Sequence, residues 1–309
     1  MSAEGKRIIV VAGGTGGIGR HIVDGIVNTK KFIVKVFSRQ DPSTLRDLTE
    51  KGVIVVQVDY SNHELLVKEL QGVHTVIVTL ISLDESSIYS QINLLNASLE
   101  AKVKRFAPSE WAGKHEETSP IELYKFLKLP VREKVKASGI EYTIFVNGIF
   151  MDYFASPQRA SASLPPLTVG VDFNTCQADL FGTGNEPFCI TRADDVGKFV
   201  AAALDLDKWD EYTGMIGSRI TWNELIKLGE KIRGKQFHVK YSSLDEVVQL
   251  AKDTNDNIMK KFMYQVHVSL IQGEFDYEDT LNKKCSQVQP TTIENFLLQW
   301  WDDKQGQVL

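Results

Sequence analysis

The clearest hydrophobic pattern lies at the start of the chain, where an apolar run leads through a glycine-rich turn into an amphipathic helix. Ile8–Ala12 is a run of five apolar residues, as in a strand buried on both faces of a parallel sheet. Glycines follow at once, and Ile18, Ile22, Val23 and Ile26 then recur at helical spacing. Strand, glycine turn and helix in this order predict a dinucleotide-phosphate site, because the turn lets backbone N–H groups approach an anion at a helix N-terminus.

Strand-like and helix-like patterns alternate over the first 150 residues. Apolar runs rich in β-branched residues predict strands, and apolar stripes at helical spacing predict helices between them. This alternation favours an α/β fold with a right-handed, doubly wound parallel sheet of the Rossmann type. The predicted strands are Phe32–Phe37, Val53–Val58, Thr75–Leu80, Arg105–Ala107 and Tyr142–Val146, and the predicted helices are His63–Gly72, Ile88–Ala101 and Val131–Ala137.

The pattern changes after Phe154, where serine, proline and alanine predict irregular chain. Helical stripes resume farther on. The sequence therefore predicts a nucleotide-binding Rossmann domain over residues 1–155 and a smaller, mixed α/β substrate lobe over residues 156–309. The helices predicted in that lobe are Ala193–Leu206, Thr221–Ile232, Leu244–Lys252 and Ile293–Trp301.

The end of the second strand predicts which dinucleotide binds. In open α/β sheets the ligand lies beyond the carboxyl ends of the strands, and the second strand meets the adenosine ribose. Ser38 and Arg39 stand there, and a guanidinium pairs well with the 2′-phosphate of NADP. Arg46 is a second candidate cation, while Asp41 keeps NAD open. We therefore predict NADP(H) as the cofactor.

Other cofactor contacts are predicted at strand ends and in the turn. Asp59 follows the third strand and either reaches the adenine edge or caps the next helix. Thr79 and Leu80 end the fourth strand near the predicted pyrophosphate. The glycine turn itself contributes Gly13, Thr15, Gly16, Gly17, Ile18 and Gly19.

Composition excludes several function classes. The net charge is −5 and the sequence pI about 5.8, so neither a nucleic-acid footprint nor a polybasic membrane patch is expected. We expect no signal peptide, no membrane span and no metal site. The three cysteines lack a CxxC pair, which fits a reducing compartment and a cytoplasmic location. The expected partner is a small molecule, and the expected state is a monomer or homodimer.

The candidate catalytic pair is Tyr124 and Lys128, which share a face if both are helical. A tyrosine that donates a proton beside a lysine that lowers its pKa would suit hydride-transfer chemistry. Pro130 argues that a helix begins near Leu129, which would leave Lys128 at the helix start and Tyr124 in a loop. On spacing alone, a surface lysine and a core tyrosine are the favoured interpretation.

Four segments, GGTGGIG, FAPSEW, KLPVREKVKASGIEYT and VNGIFMDYF, together resemble the NmrA-like and isoflavone reductase-like proteins, which are atypical short-chain dehydrogenases. The resemblance implies that Lys128, four residues before Arg132, is the general acid or base. It implies NADP contacts for the glycine turn and for Arg39. It also places the segment Asn147, Gly148, Ile149 and Phe150 beside the nicotinamide.

Two positions depart from the plant reductases of that family. This chain has Val131-Arg132-Glu133 where they have Val-Arg-Arg, and PSEWA where they have PSEFG. The departures suggest a different substrate pocket and a chain more similar to fungal members. Ser109 could imitate the upstream serine of ordinary short-chain dehydrogenases, although a role in the turn at Pro108-Ser109-Glu110 is slightly favoured.

Two functions follow as hypotheses. The first is an NADPH-dependent reductase of a small aromatic or conjugated molecule, such as a carbonyl, enone, quinone or benzylic ether. In it, Lys128 handles the proton, with Tyr124 assisting, and Tyr153 and Phe154 line the substrate pocket or belong to the core. The second is a non-catalytic NAD(P)-binding regulator, which resembles NmrA-type proteins that act through a protein partner. Such regulators commonly lack the lysine, so the presence of Lys128 favours the enzyme.

Overall fold

A six-stranded parallel sheet organises the first half of the chain in the computed structural model, which describes residues 5–156, 164 and 167–301. The strand order is β3-β2-β1-β4-β5-β6, so the chain starts in the middle and winds outward both ways. The strands are β1 Ile8–Ala12, β2 Ile33–Ser38, β3 Ile54–Gln57, β4 Val73–Val78, β5 Arg105–Ala107 and β6 Glu141–Tyr142.

Helices cover both faces of this sheet, as the doubly wound prediction requires. They are α1 Gly17–Asn28, α2 Arg46–Thr49, α3 His63–Glu69, α4 Ser86–Glu100, α5 Glu122–Leu127 and α6 Leu129–Ser138. Successive residues of β1 point to opposite faces, so Ile9 and Val11 enter a core with α1. Val10 and Ala12 enter a second core with α3, α4 and α6. The Rossmann-type prediction is therefore confirmed.

The later part of the chain adds smaller sheets and six more helices among the described residues. Its strands are β7 Ile144–Val146, β8 Ile149–Phe150, β9 Val171–Asp172, β10 Gln177–Phe181, β11 Phe188–Thr191, β12 Tyr212–Gly214, β13 Ser218–Ile220 and β14 His238–Ser242. Its helices are α7 Ala193–Ala203, α8 Trp222–Arg233, α9 Leu244–Asp253, α10 Ile258–Ile271, α11 Thr280–Lys284 and α12 Ile293–Trp301. Within the described ranges, none of the helices is long and apolar enough to cross a bilayer.

The predicted sixth strand, Tyr142–Val146, is corrected by the structure. It divides into β6, which pairs with β5, and β7, which pairs with β12 from the later part of the chain. The division falls at Thr143, whose buried hydroxyl lies 2.9 Å from the hydroxyl of Thr213. A local pattern of apolar residues cannot reveal that two halves of one run pair with different partners.

The first core also contains residues from beyond position 155. Helix α7 packs across α1, and Val196, Phe199 and Val200 join the core beneath the sheet. The domain boundary near 155 stays a prediction, but the nucleotide-binding half is completed by a later helix.

Two glycines set the distance between α1 and α7. A Cβ added to Gly25 would lie 2.3 Å from the carbonyl oxygen of Gly197, and one added to Gly197 would lie 2.1 Å from that of His21. Both contacts are with backbone, so no side-chain rotation relieves them. The helices therefore cross as closely as they do only because both positions lack a side chain.

We expect Gly25→Ala to lower the free energy of unfolding by about 2 kcal/mol, because the added methyl overpacks a backbone contact. Urea unfolding measures the change, with Asn28→Ala at the exposed end of α1 as the control. An increase in stability of about 1 kcal/mol, as helix propensity alone gives for Gly to Ala, would show that the crossing is not tight.

Candidate active site

The glycine turn between β1 and α1 leaves room for an anion above backbone N–H groups. Helix α1 has no side-chain cap at its N-terminus, where Gly16 and Gly17 stand. A Cβ on either of these two would meet no atom within 4 Å, so the space above them is open. Unsatisfied N–H groups and the helix dipole make such a terminus attractive to a diphosphate. The predicted contacts Thr15 and Ile18 stand in and beside the same turn.

Two other glycines pack the turn against the end of β4. Gly13 has a φ of +85°, and a Cβ there would lie 2.9 Å from Oγ1 of Thr79. A Cβ on Gly19 would lie 2.5 Å from the same oxygen and 2.5 Å from the carbonyl oxygen of Gly13. Leu80 also borders Gly13. The structure thus brings Thr79 and Leu80 to the glycine turn, as the sequence predicts.

Arg39 directly follows β2, where the ribose is expected, and its guanidinium forms no ion pair with any described residue. It is exposed, and its charge acts on the pKa of Tyr60, opposing the larger upward effect of burial. Ser38 is buried and accepts a hydrogen bond from the N–H of Gln40 at 3.0 Å. Asp41 instead accepts from the N–H of Ser43 and caps its own turn, which keeps its pKa below the usual value.

Asp59 does not cap the helix that follows it. Its carboxylate accepts hydrogen bonds from the N–H and hydroxyl of Ser61, which lower its pKa. The cap of α3 is Asn62, whose Oδ1 accepts from the N–H of Leu65 at 3.0 Å. The predicted capping role was therefore wrong, and the adenine contact stays a prediction.

Asn147 presents a buried acceptor at the end of β7. Its side chain is fully buried, and Nδ2 donates to the carbonyl of Gly148 at 3.0 Å. Oδ1 has no hydrogen-bond partner among the described residues. Ile149 and Phe150 follow in β8 and are buried beside it. An orphaned buried oxygen is costly, so this position suits the amide N–H of a ligand.

A helix break at Pro130 positions Lys128. Helix α5 ends at Leu127 and α6 begins at Leu129, so Lys128 is both the C-cap of α5 and the N-cap of α6. Proline is tolerated in the first turn of α6 because its missing N–H would have no partner there. The predicted start of α6 is confirmed, whereas Tyr124 lies in a short helix rather than a loop.

The ammonium of Lys128 is held between a carbonyl and an aromatic ring. Nζ donates to the backbone oxygen of Glu110 and lies 3.9 Å from the ring centroid of Tyr124. Burial lowers the pKa of Lys128 to about 8, against the opposite effect of the Glu110 carboxylate. Near neutral pH this lysine is charged yet able to release its proton, which suits a general acid.

Tyr124 is the weaker candidate for proton transfer. Burial keeps its pKa well above the ordinary value, and the neighbouring Tyr153 adds to the effect. Its ring lies 4.7 Å from that of His115 and 5.4 Å from that of Phe262, centroid to centroid. The geometry therefore makes the Tyr124 ring part of the wall of the candidate site, next to Lys128.

The two predicted substrate residues are in different environments. Tyr153 is half-buried, packs edge-on against Phe150 at 5.9 Å and acts on the pKa of Tyr124, which places it near the candidate pair. Phe154 is 1% exposed and packs against Phe173 and Trp222. The packing of Phe154 favours the core alternative.

A buried ion pair lies directly behind Lys128. The guanidinium of Arg132 contacts the Glu110 carboxylate through two nitrogens, Nη2 to Oε2 at 2.9 Å and Nε to Oε1 at 3.3 Å. Both side chains are below 10% exposed. Nη1 of Arg132 also donates to the carbonyl of His115 at 2.6 Å. The ion pair therefore fixes Glu110, whose backbone carbonyl accepts the hydrogen bond from Lys128.

A second buried cluster joins this segment to α10. Nδ1 of His115 lies 2.6 Å from Oε2 of Glu274, which also accepts from the hydroxyls of Ser119 and Ser269. These hydrogen bonds keep the pKa of Glu274 low although burial raises it. Burial lowers the pKa of His115, so its ring is neutral at neutral pH. The loop before α5 is thereby tied to the end of α10.

The sequence pattern gave no indication of the roles of Glu110, His115 and Glu274. Glu110 occurs within the FAPSEW motif, and no spacing distinguishes His115 from the other five histidines. One usable signal exists for Arg132: it stands between Val131 and Val135 on the apolar side of α6, where a charge needs a partner. Within the described ranges, no cluster of His, Cys, Asp and Glu side chains is arranged to hold a metal ion.

We expect Arg132→Met to lower the free energy of unfolding by about 3–5 kcal/mol, because it leaves the Glu110 carboxylate buried and unpaired. The matched control is Lys136→Met on the same helix, whose ion pair with Glu211 is half exposed and should contribute less than about 1 kcal/mol. Urea unfolding at neutral pH compares them. Equal losses in both variants would contradict the importance of the buried pair.

Comparisons with known proteins show which family the chain is similar to. The model of the NmrA-like family matches residues 5–297. "Oxidoreductase BOA1" from the fungus Botryotinia fuckeliana is 33% identical over 236 residues, covering 74% of this chain and 77% of the relative. "Phenylcoumaran benzylic ether reductase IRL1" from Ginkgo biloba is 27% identical over 318 residues, covering 96% and 99%.

The fold has solved counterparts. The structure titled "AtPrR2 with NADP+ and (+)pinoresinol" superposes with a TM-score of 0.77 at 23% identity, covering 96% of this chain and 99% of that one. This similarity supports the Rossmann-type architecture. The predicted resemblance and the predicted class, an NADP-dependent oxidoreductase, agree with these comparisons. Since the family model spans nearly the whole sequence, the chain belongs to the NmrA-like family.

Proposed function

We propose that the protein is an NADPH-dependent reductase of a small aromatic or conjugated molecule, in which Lys128 supplies the proton. The observation that carries the proposal is the environment of Lys128, whose burial lowers its pKa to about 8. A lysine with that pKa, in a chain that also has an open phosphate turn, fits acid–base chemistry next to a hydride donor. A structural lysine would need neither feature.

The residues around the turn fit NADP(H). The N–H groups at the start of α1 would bind the diphosphate, and Arg39 would pair with the 2′-phosphate. Oδ1 of Asn147, buried without a partner among the described residues, would accept from the nicotinamide amide. When bound, the cofactor supplies a hydride.

The chain's own residues would manage the proton and exclude water. Lys128 would protonate the oxygen that gains negative charge as the substrate is reduced. Because its Nζ is held on the carbonyl of Glu110, the ammonium starts from one fixed position. Tyr124, Phe262 and Tyr153 would form an aromatic wall beside it. An aromatic substrate packs well against such a wall.

The names of the relatives support the substrate class. A fungal oxidoreductase and a phenylcoumaran benzylic ether reductase are similar to 74% and 96% of the chain, respectively. A benzylic ether, a carbonyl, an enone and a quinone share an electrophilic carbon next to a conjugated system.

We further propose that the enzyme works in the cytoplasm as a monomer or homodimer and binds no nucleic acid. The cysteine content supports the location, and the negative net charge supports the absence of nucleic-acid binding.

Arg39→Ser tests the cofactor assignment. It should raise the dissociation constant for NADPH at least about tenfold, as expected when a charge-assisted hydrogen bond is lost. The value for NADH should not change, because NADH lacks the 2′-phosphate. Fluorescence titration of the purified chain measures both. An equal loss for both nucleotides, or no binding of either by the unmodified protein, would overturn the assignment.

Lys128→Met tests the catalytic role. We expect a loss of at least about 100-fold in kcat with NADPH affinity nearly unchanged, because a general acid contributes that much. Lys134→Met, an exposed lysine of α6, is the control. The assay follows NADPH oxidation against a panel of carbonyl, enone, quinone and benzylic ether substrates.

The pH profile is part of the same test. Since the charged form of Lys128 is the acid, kcat/KM should fall as the pH rises past about 8, and Lys128→Met should lack this limb. Tight NADPH binding with no turnover of any substrate would favour the regulator instead. Full activity in Lys128→Met would remove this lysine from the mechanism.

A further inference from the structure

The later part of the chain contains a groove that the proposed reductase site does not use. It lies on the outer face of the small sheet β14-β10-β9 and is bordered by α9 and α10. Its volume is about 750 Å³, within the range of small-molecule sites. Alternate residues of β10, among them Asp179 and Phe181, point into it, while Ala178 and Leu180 enter the core.

A buried histidine without a polar partner lines this groove. His267 is 6% exposed, and no described residue forms a hydrogen bond with its ring. Burial alone lowers its pKa to about 4, so the imidazole is neutral at neutral pH and keeps an acceptor nitrogen. Phe181 packs on it at 4.8 Å between ring centroids. No described group donates to this ring, so its acceptor nitrogen is available to a ligand in the groove.

The groove is separated from Lys128 by the thickness of α10. Phe262 and Ser269 lie on one face of that helix and contact Tyr124 and Glu274, respectively. Tyr264 and His267 lie about half a turn away, on the face that lines the groove. One ligand therefore cannot contact both His267 and Lys128 without displacing the helix.

The other walls indicate the kind of ligand. Thioether and aromatic side chains, Met259, Met263 and Tyr264, provide adaptable apolar surface for a ring. The formal charges of the lining residues cancel, because they comprise two carboxylates and two ammonium groups, and this favours an uncharged ligand. The four charged residues are Asp172, Asp179, Lys240 and Lys260. An uncharged aromatic molecule that carries one strong hydrogen-bond donor fits these walls, and a phenol is the simplest example.

We propose that this groove is a second binding site, for a small neutral phenol whose hydroxyl donates to the imidazole of His267. The aromatic ring lies against the methionines and Phe181. Binding is reversible and involves no chemical step. This site does not depend on the proposed reductase function, because it uses the opposite face of α10.

The probe is 4-ethylphenol, and its matched control is 4-ethylanisole, which has the same ring but no hydroxyl hydrogen. NMR of the full chain with ¹³C-labelled histidine follows the Cε1–H signal of His267, identified by its absence in His267→Phe. We expect saturable shifts with a dissociation constant on the order of 1 mM, typical of so small a ligand. The ether should bind at least about fivefold more weakly, because it cannot donate to the ring.

Variants complete the experiment. His267→Phe should abolish specific phenol binding, and His267→Gln, which keeps an acceptor, should restore part of it; a thermal unfolding scan confirms that both variants are folded. Saturating NADPH should leave the phenol affinity unchanged. No saturable shift, equal binding of the ether, unchanged binding in His267→Phe, or displacement by NADPH would each overturn the proposal.

Discussion

The buried ion pair between Glu110 and Arg132 is the interaction on which the candidate site depends. Glu110 follows the end of β5, and Arg132 lies in α6, so the pair joins the carboxyl end of β5 to the helix that has Pro130 in its first turn. The backbone oxygen of Glu110 holds Lys128, and Arg132 also holds the carbonyl of His115. Two buried charges are costly unless they are fully paired, and here each has several hydrogen bonds. These hydrogen bonds therefore offset the cost of burial. They also hold Lys128, the backbone at His115 and helix α6 in fixed positions relative to Glu110.

The same pair explains why Lys128 keeps an intermediate pKa. Burial favours the neutral amine, the Glu110 carboxylate favours the ammonium, and Arg132 opposes it. Since the carboxylate is already neutralised by Arg132, its support for the lysine charge is limited. At Tyr124, burial, Tyr153 and Glu110 all raise the pKa, so it moves away from neutrality. Burial and Glu110 therefore oppose each other at Lys128 and act together at Tyr124, which distinguishes the two candidate acids.

The sequence predicts local features well and long-range contacts poorly. Strand β1, the glycine turn and α12 follow from patterns within a few residues, and the capped helix α8 begins after Thr221 and ends before Gly234 as its signals indicate. The contact between His115 and Glu274 joins residues 159 positions apart, and no periodicity encodes it. Helix α10 was missed because apolar residues occur on most of its surface, since its two faces serve different cores and grooves.

Two of the residues that depart from the plant motifs have structural surroundings that can be described. Trp111, where those enzymes have phenylalanine, donates from its indole to the carbonyl of Val78 at 2.8 Å and stacks on Phe145 at 5.4 Å. Glu133, where they have arginine, is exposed on α6. Neither side chain contacts the ring of Tyr124. Phe262 of α10 does approach the candidate pair, through its contact with the Tyr124 ring, and its position in the sequence alone gave no indication of this.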